Sequence, residues 1–156
     1  IYNLRHDYLT GILNRPSLEK EVTEAMSNHQ NGVILVLDID YFKEVNDNNG
    51  HPYGDEVLIK LANTMQESFK SGICGRIGGD EFLVLIPGIT ENLFQSMIRS
   101  MLVDMAKSSV HLALGSVWVD DCTGKVEKSL SEADARMYED KRAYYAKNRQ
   151  LDRRRH

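Results

Sequence analysis

Cysteine is nearly missing from this chain: Cys74 and Cys122 are the only two, far apart and outside any Cys-x-x-Cys pair. That scarcity excludes a disulfide framework and a thiolate zinc site, and it fits a reducing, cytoplasmic compartment. Long apolar runs are absent as well, so nothing reads as a membrane span or a secretory leader. There is no basic excess. The 19 Lys and Arg residues face 23 Asp and Glu, for a net charge of -4. Such a balance argues against a general nucleic-acid surface, but it leaves room for a small phosphate compound in a local pocket. No internal repeat, low-complexity stretch or extended heptad pattern is present.

What is present is a globular composition. Hydrophobic residues make up 42% of the 156, enough for one domain with its own core. The whole chain, 1–156, reads as that domain, with 1–6 as the end of an incoming linker and 150–156 as a frayed basic tail. It begins at Ile1 rather than Met, which we take as the sign of a domain cut from a longer protein whose upstream part could carry a membrane anchor.

The stretch from Arg76 to Phe82 organises the rest. Apolar residues flank it, Ile73 and Ile77 before and Phe82-Leu83-Val84-Leu85-Ile86 after, with Gly78-Gly79 between. That pattern predicts two strands joined by a tight hairpin, with glycine supplying positive φ in the turn. A tip without side chains also lets a ligand approach the backbone. Asp80 and Glu81 follow at once, and glycines beside acids suit a phosphate with its cations. Alone, the same residues are better explained as an ordinary hairpin with solvated acids.

A second acidic stretch lies upstream. Residues 33–37 form an unbroken apolar run of branched side chains, which predicts a strand buried on both faces. It ends in Asp38-Ile39-Asp40. Asp40 fits a cap for the turn that follows. Asp38, at the end of a buried strand, is better explained as a metal ligand.

Helical spacing marks residues 17–27 behind Pro16, Val57 through Phe69, residues 91–107, and a last helix from Ser131 to about Ala146. Ser131 and Asp134 look like its capping pair. Residues 41–55 read as turn-rich. Within them Asn46 and Asp55 could pair with a base edge, although a turn residue and a helix-start acid account for both. His51 is uninformative by itself. A fourth strand spans 110–119, with a bend or close backbone contact at Gly115, and 120–124 is a turn. Without the first helix the order is βαββαβ, a ferredoxin-like α+β core with a mostly antiparallel sheet. If their strands are neighbours, Asp38 and Asp80 converge on one spot, as two-metal phosphoryl transfer requires.

These residues resemble a known family. Gly78-Gly79-Asp80-Glu81-Phe82 is the GGDEF motif of the diguanylate cyclases. Asp7-Tyr8-Leu9-Thr10-Gly11 with Asn14-Arg15 is similar to the family's opening motif, and Asp38-Ile39-Asp40-Tyr41-Phe42-Lys43 to its first acidic motif. Asn46-Asp47, Gly50-His51, Gly54-Asp55 and the helix carrying Ala133-Asp134, Met137-Tyr138 and Lys141 continue the match in order.

The resemblance implies condensation of two GTP molecules into cyclic di-GMP with release of pyrophosphate, in a transient antiparallel homodimer of half-sites. It implies that Asp38, the Ile39 carbonyl and Asp80 hold Mg²⁺ or Mn²⁺, and that Asp80 accepts the 3′-hydroxyl proton. Lys43 would stabilise charge on the phosphates and Glu81 would assist at the metals. Asn46 and Asp55 would bind the guanine edge, with Phe42, His51 and Lys141 near the nucleotide and Gly78 and Gly79 against its phosphates. The partners implied are GTP, a second copy, and an upstream sensory or dimerising region, with no membrane or nucleic-acid contact by this domain.

Two departures stand out. The family's Lys-x-x-Gly-Arg-Asn is replaced after Lys141 by Arg142-Ala143-Tyr144-Tyr145-Ala146-Lys147-Asn148-Arg149. The Arg-x-x-Asp product-inhibition site falls on Phe69 and Gly72, so that site is expected to be absent. The alternative function is a catalytically silent relative that binds GTP as a sensory or regulatory module.

Overall fold

The computed structural model describes residues 2–27, 31–119 and 126–155. Four strands, β1 (Gly32–Ile39), β2 (Ile73–Arg76), β3 (Glu81–Pro87) and β4 (Leu112–Val119), form one sheet in the order β2-β3-β1-β4. Every neighbouring pair is antiparallel. The helices are α1 (Tyr2–Arg5), α2 (Arg15–Met26), α3 (Phe42–Asn49), α4 (His51–Ser68), α5 (Glu91–Ala106) and α6 (Val126–Arg155). This is the expected βαββαβ core, with two helix-containing crossovers and a central β1.

Alternation along the strands divides the core into two. Val33, Leu35, Leu37 and Ile39 of β1 face α4 and α5, where Leu58, Leu61, Met65, Phe94 and Met101 are buried. Ile34 and Val36 face α2 and α6, against Leu18, Val22, Ala133 and Met137. Both faces of β1 are buried, as its unbroken apolar run requires. The side-chain period of two also puts Asp38 on the α6 side of the sheet.

Gly115 is the close contact its place in the pattern suggests: a Cβ there would lie 2.1 Å from the Ala133 carbonyl oxygen and 2.3 Å from the Met137 nitrogen. Only glycine lets α6 settle this near β4. Helix α2 has Pro16 in its first turn, as expected, and Asn14 Oδ1 accepts from the Ser17 N–H as its cap.

Four local expectations are corrected. Residues 42–49 form α3, and α4 starts at His51, so the turn-rich stretch is two helices separated by Gly50. Gly50 takes φ 87°, a value glycine adopts freely, and makes that break. Ser131 caps nothing, because α6 begins a turn and a half earlier, at Val126. That helix runs through Arg155, past the expected end near Ala146. Finally, Gly78 and Gly79 are not among the positive-φ glycines, which are Gly11, Gly50 and Gly88. The hairpin does form, but its loop is wider than a two-residue turn, closing with the Ile77 and Gly78 N–H groups on the Glu81 carbonyl at 2.9 and 3.2 Å. The expected turn at 120–124 and Cys122 lie outside the described residues.

Candidate active site

The antiparallel register of β1 and β3 sets Asp38 opposite Glu81, and the Ile39 N–H donates to the Asp80 carbonyl at 3.4 Å. The two acidic stretches therefore meet at one end of the sheet. Burial, then the neighbouring carboxyl and charge of Asp38, push Asp80 up to about 7. Lys141 reaches in from α6 and pairs with Asp38 at 3.0 Å, with both side chains largely buried. Burial opposes the Lys141 charge, but the bond to Asp38 and the neighbouring anions outweigh it and raise its pKa.

Glu81, the cross-strand neighbour of Asp38, joins the same cluster. It is pushed up to about 8 by burial, by Asp134 of α6, and then by Asp38 and Asp80. Four acids are thus crowded at this corner with one nearby ammonium, Lys141. Asp38 Oδ1 and Asp134 Oδ1 are buried without a hydrogen-bond partner. Orphaned acceptors beside like charges are the condition that a cation or a donor-rich ligand relieves.

Among the described residues, no three His, Cys, Asp or Glu side chains are gathered closely enough to form a metal cage alone. The donors present are Asp38, Asp80 and the Ile39 carbonyl. Hard oxygens of that kind suit Mg²⁺ or Mn²⁺, and Mg²⁺ in particular is usually held by one or two carboxylates completed by substrate phosphates. The residues fit the ion in that sense.

The glycine loop is held open from below. The Arg76 Nε donates to the Gly78 and Gly79 carbonyls at 3.1 and 3.0 Å, and its Nη2 donates to Gly79 at 2.6 Å. With those carbonyls turned toward Arg76, the outer side of the loop is empty: a Cβ on Gly79 would touch nothing within 4 Å. No backbone strain demands glycine here, so the open space is the feature left to explain. Arg76 also pairs with Asp7 at 3.2 Å, and Asp7 accepts from both the N–H and the hydroxyl of Thr10. Sequence reasoning gave neither Arg76 nor Asp7 a role. Arg76 stands two residues before the Gly-Gly pair, and nothing in that spacing marks it as a support for the loop.

The turn leaving β1 leads into α3. Tyr41, its N-cap, has φ 56° and ψ 33°, and no side chain caps the helix start. Its first-turn N–H groups are therefore the kind that bind anions. Lys43 is exposed in that turn and makes no ion pair among the described residues. Phe42 and Asn46 lie inward against α4, where a Cβ on Gly54 would strike Asn46 Oδ1 at 1.8 Å and Phe42 Cζ at 3.3 Å. The Asn46 Oδ1 is buried and unpaired. Asp55 follows Gly54 and is exposed, and so is His51 at the start of α4. The structure therefore gathers Asp38, Ile39, Asp80, Glu81 and Lys141 at the sheet end. Phe42, Asn46 and Gly54 meet at the α3–α4 junction. Lys43, His51 and Asp55 stand in solvent nearby, without contacts to that cluster.

The family's inhibitory position is occupied by core. Phe69 is 1% exposed, and a Cβ on Gly72 would come within 2.7 Å of Val84 Cγ2.

An antiparallel ferredoxin-like sheet whose central strand ends in paired acids beside a glycine loop defines a domain of nucleotide-cyclase type. Comparison with known proteins narrows that class. The family described as diguanylate cyclase, GGDEF domain, matches residues 4–147, and the chain belongs to it. Diguanylate cyclase DgcP of Escherichia coli is 34% identical over 153 residues, covering 87% of this chain and 44% of that protein. The uncharacterized protein YtrP of Bacillus subtilis is 30% identical over 151 residues, 94% of this chain and 26% of its own length. The chain thus spans less than half of either relative. Among solved structures, diguanylate cyclase SiaD of Pseudomonas aeruginosa, in complex with its activator SiaC, gives a TM-score of 0.77 at 31% identity over 91% of this chain and 59% of that one. The coiled coil and GGDEF domain of DgcB from Caulobacter crescentus, in complex with c-di-GMP, share the fold at a TM-score of 0.82 and 23% identity, over 91% of this chain and 83% of that one.

Proposed function

We propose that this domain condenses two GTP molecules into cyclic di-GMP with release of pyrophosphate, two copies meeting antiparallel so that each supplies half of the site. The observation that carries this reading is the Asp38–Asp80 pair, two carboxylates brought together at one end of the sheet by the β1–β3 register, with an unpartnered oxygen on Asp38.

Asp38, Asp80 and the Ile39 carbonyl would hold Mg²⁺ or Mn²⁺, with phosphate oxygens completing the set. Bound there, the ion would supply positive charge against the phosphates of the nucleotide. The chain's own residues do the rest. Asp80, with its raised proton affinity, is suited to accept the 3′-hydroxyl proton. Lys43 and the uncapped start of α3 favour the negative charge that builds on the departing pyrophosphate. Glu81 supports the anionic corner that holds the metals, and Lys141 fixes the orientation of Asp38. Gly78 and Gly79 leave the loop's outer side free for phosphate. Asn46 and Asp55 bind the guanine edge, with Phe42 beneath it and His51 at the rim.

One domain binds one GTP, so in-line attack on the α-phosphorus needs a second domain facing the first, and proximity becomes the controlled quantity. A region outside this chain would supply that proximity. DgcB carries a coiled coil beside its GGDEF domain, and SiaD has a separate activator. No helix among the described residues is long and apolar enough to cross a membrane, and we place the domain on the cytoplasmic side. The test is chromatographic separation of products from GTP and Mg²⁺, comparing the unsubstituted domain with Asp38→Ala and Asp80→Ala. The unsubstituted domain should form cyclic di-GMP and both variants should form none while remaining folded. Near-normal product from either variant would remove the assignment.

A further inference from the structure

One face of α6 lies against the turn that leaves β1. Lys141, Tyr144, Tyr145 and Asn148 share helical spacing and are partly buried, while Arg142, Ala143, Ala146 and Lys147 between them are exposed. Each of the four meets the turn or its support. Lys141 pairs with Asp38, and its ammonium lies 5.7 Å from the centre of the Tyr145 ring. Tyr144 stacks on His111 with ring centres 3.6 Å apart, and His111 Nδ1 is hydrogen-bonded to Asp40. Tyr145 stacks on Tyr41 at 4.2 Å with the rings 16° from parallel. Asn148 Nδ2 donates to the Tyr41 hydroxyl at 3.4 Å.

Tyr41 is the residue that needs this support. Its φ of 56° is left-handed, a conformation that side chains with a Cβ resist. Its N–H donates to the Tyr145 hydroxyl at 2.8 Å, across 104 residues of sequence. Nothing in the local sequence forces a tyrosine into that conformation. The partner on α6 does so from outside.

We propose that Tyr145 is a positioning residue for nucleotide binding. It holds Tyr41 left-handed, so that the Ile39 carbonyl, the open start of α3 and Lys43 are presented together. The inference rests on the reading of this turn as the phosphate site. Tyr145 acts through Tyr41 and touches no reacting atom. The segment after Lys141 thereby gains a role in this chain despite lacking the family's glycine and arginine there.

The test has one arm without nucleotide and one with it. Tyr145→Phe keeps the ring and removes the hydroxyl. Amide hydrogen exchange in the free protein should show the Tyr41 N–H exchanging at least about tenfold faster, with β1 protection and Tm nearly unchanged. Affinity for a non-hydrolysable GTP analogue with Mg²⁺, measured by calorimetry, should fall about five- to tenfold, the scale of one hydrogen bond. In a Tyr41→Gly background the same substitution should cost little more, because glycine adopts the left-handed conformation unaided. Unchanged exchange at Tyr41 overturns the assignment. So does tighter analogue binding by Tyr145→Phe, which would mean that the hydroxyl occupies a donor the phosphate needs. Should the analogue fail to bind even the unsubstituted chain, the functional reading fails, and the exchange arm still decides whether Tyr145 holds the turn.

Discussion

Arg76 and Asp7 meet at 3.2 Å across 69 residues of sequence, and the same guanidinium holds the carbonyls of Gly78 and Gly79. The opening motif is thus joined to the glycine loop by one half-buried ion pair. Breaking it should disturb both. Asp7→Asn should cost about 1.5–3 kcal/mol of stability, the scale of hydrogen bonds to charged groups, measured by urea unfolding at neutral pH. Burial would raise the Asp7 pKa, but its bonds to Thr10 and the charge of Arg76 outweigh burial and hold it below 3.8. A lowered folded-state pKa gives stability that is complete above the unfolded value and lost as pH falls below it. The two proteins should therefore differ at pH 7 and converge as pH falls below the ordinary carboxylate range.

Asp80 and Glu81 have the opposite sign. Their folded-state values are raised to about 7 and about 8, so the folded chain binds more protons than the unfolded chain above about pH 4. The metal-free protein should lose stability as pH rises from about 4 to 8, and Asp80→Asn should flatten that decline. Mn²⁺ or Mg²⁺ should restore stability most at the alkaline end, where the carboxylates are ionised. Thermal melts across pH with and without the ion check this. A metal response equal at pH 5 and pH 8 would count against Asp80 as a ligand.

The α3–α4 junction should choose the base. Asn46 offers an unpaired buried oxygen beside Gly54, one residue from Asp55. A site that pairs with the guanine edge leaves polar groups unsatisfied when adenine enters, so GTP should be preferred over ATP by at least about a hundredfold. Competition assays should show Asp55→Ala narrowing that ratio. Equal use of the two nucleotides would contradict the assignment.

Product should bind weakly away from the active site. A phosphate- and guanine-gripping site needs an arginine fork and a carboxylate, whereas Phe69 is core and Gly72 is pressed against Val84. Calorimetry with cyclic di-GMP on Asp80→Ala should show weak or undetectable binding. Tight saturable binding would reveal a site built from other residues.

The sheet was legible because its strands carry their burial in their sequence: the unbroken run before Asp38 and the run after Asp80 both fall on β-strands that pair. The convergence of the two acids followed from that order. Helix α3 was not legible. Its eight residues include three asparagines and an aspartate, poor helix formers, and Phe42 and Val45 stabilise it only by docking on the core. The length of α6 was hidden for a similar reason. Beyond Lys141 it offers no residue to the sheet's core, and its partners are the aromatic rings of Tyr41, which pattern reading leaves in a turn, and of His111, which it puts at the start of the last strand. Gly78-Gly79 misled in the other direction. Their glycines suit a tight turn, yet the loop is wider and is held through its carbonyls by Arg76, a contact that no local signal encodes.

The central claim is that two of these domains together turn GTP into cyclic di-GMP. Fusing a parallel coiled coil ahead of Ile1 raises the effective concentration of the second half-site without altering the first. The fused protein should convert GTP to cyclic di-GMP and pyrophosphate with Mg²⁺, and the unfused chain should show a rate per domain that climbs with protein concentration. GTP bound but unconverted by the fused protein would contradict the account and leave a nucleotide-binding module in its place.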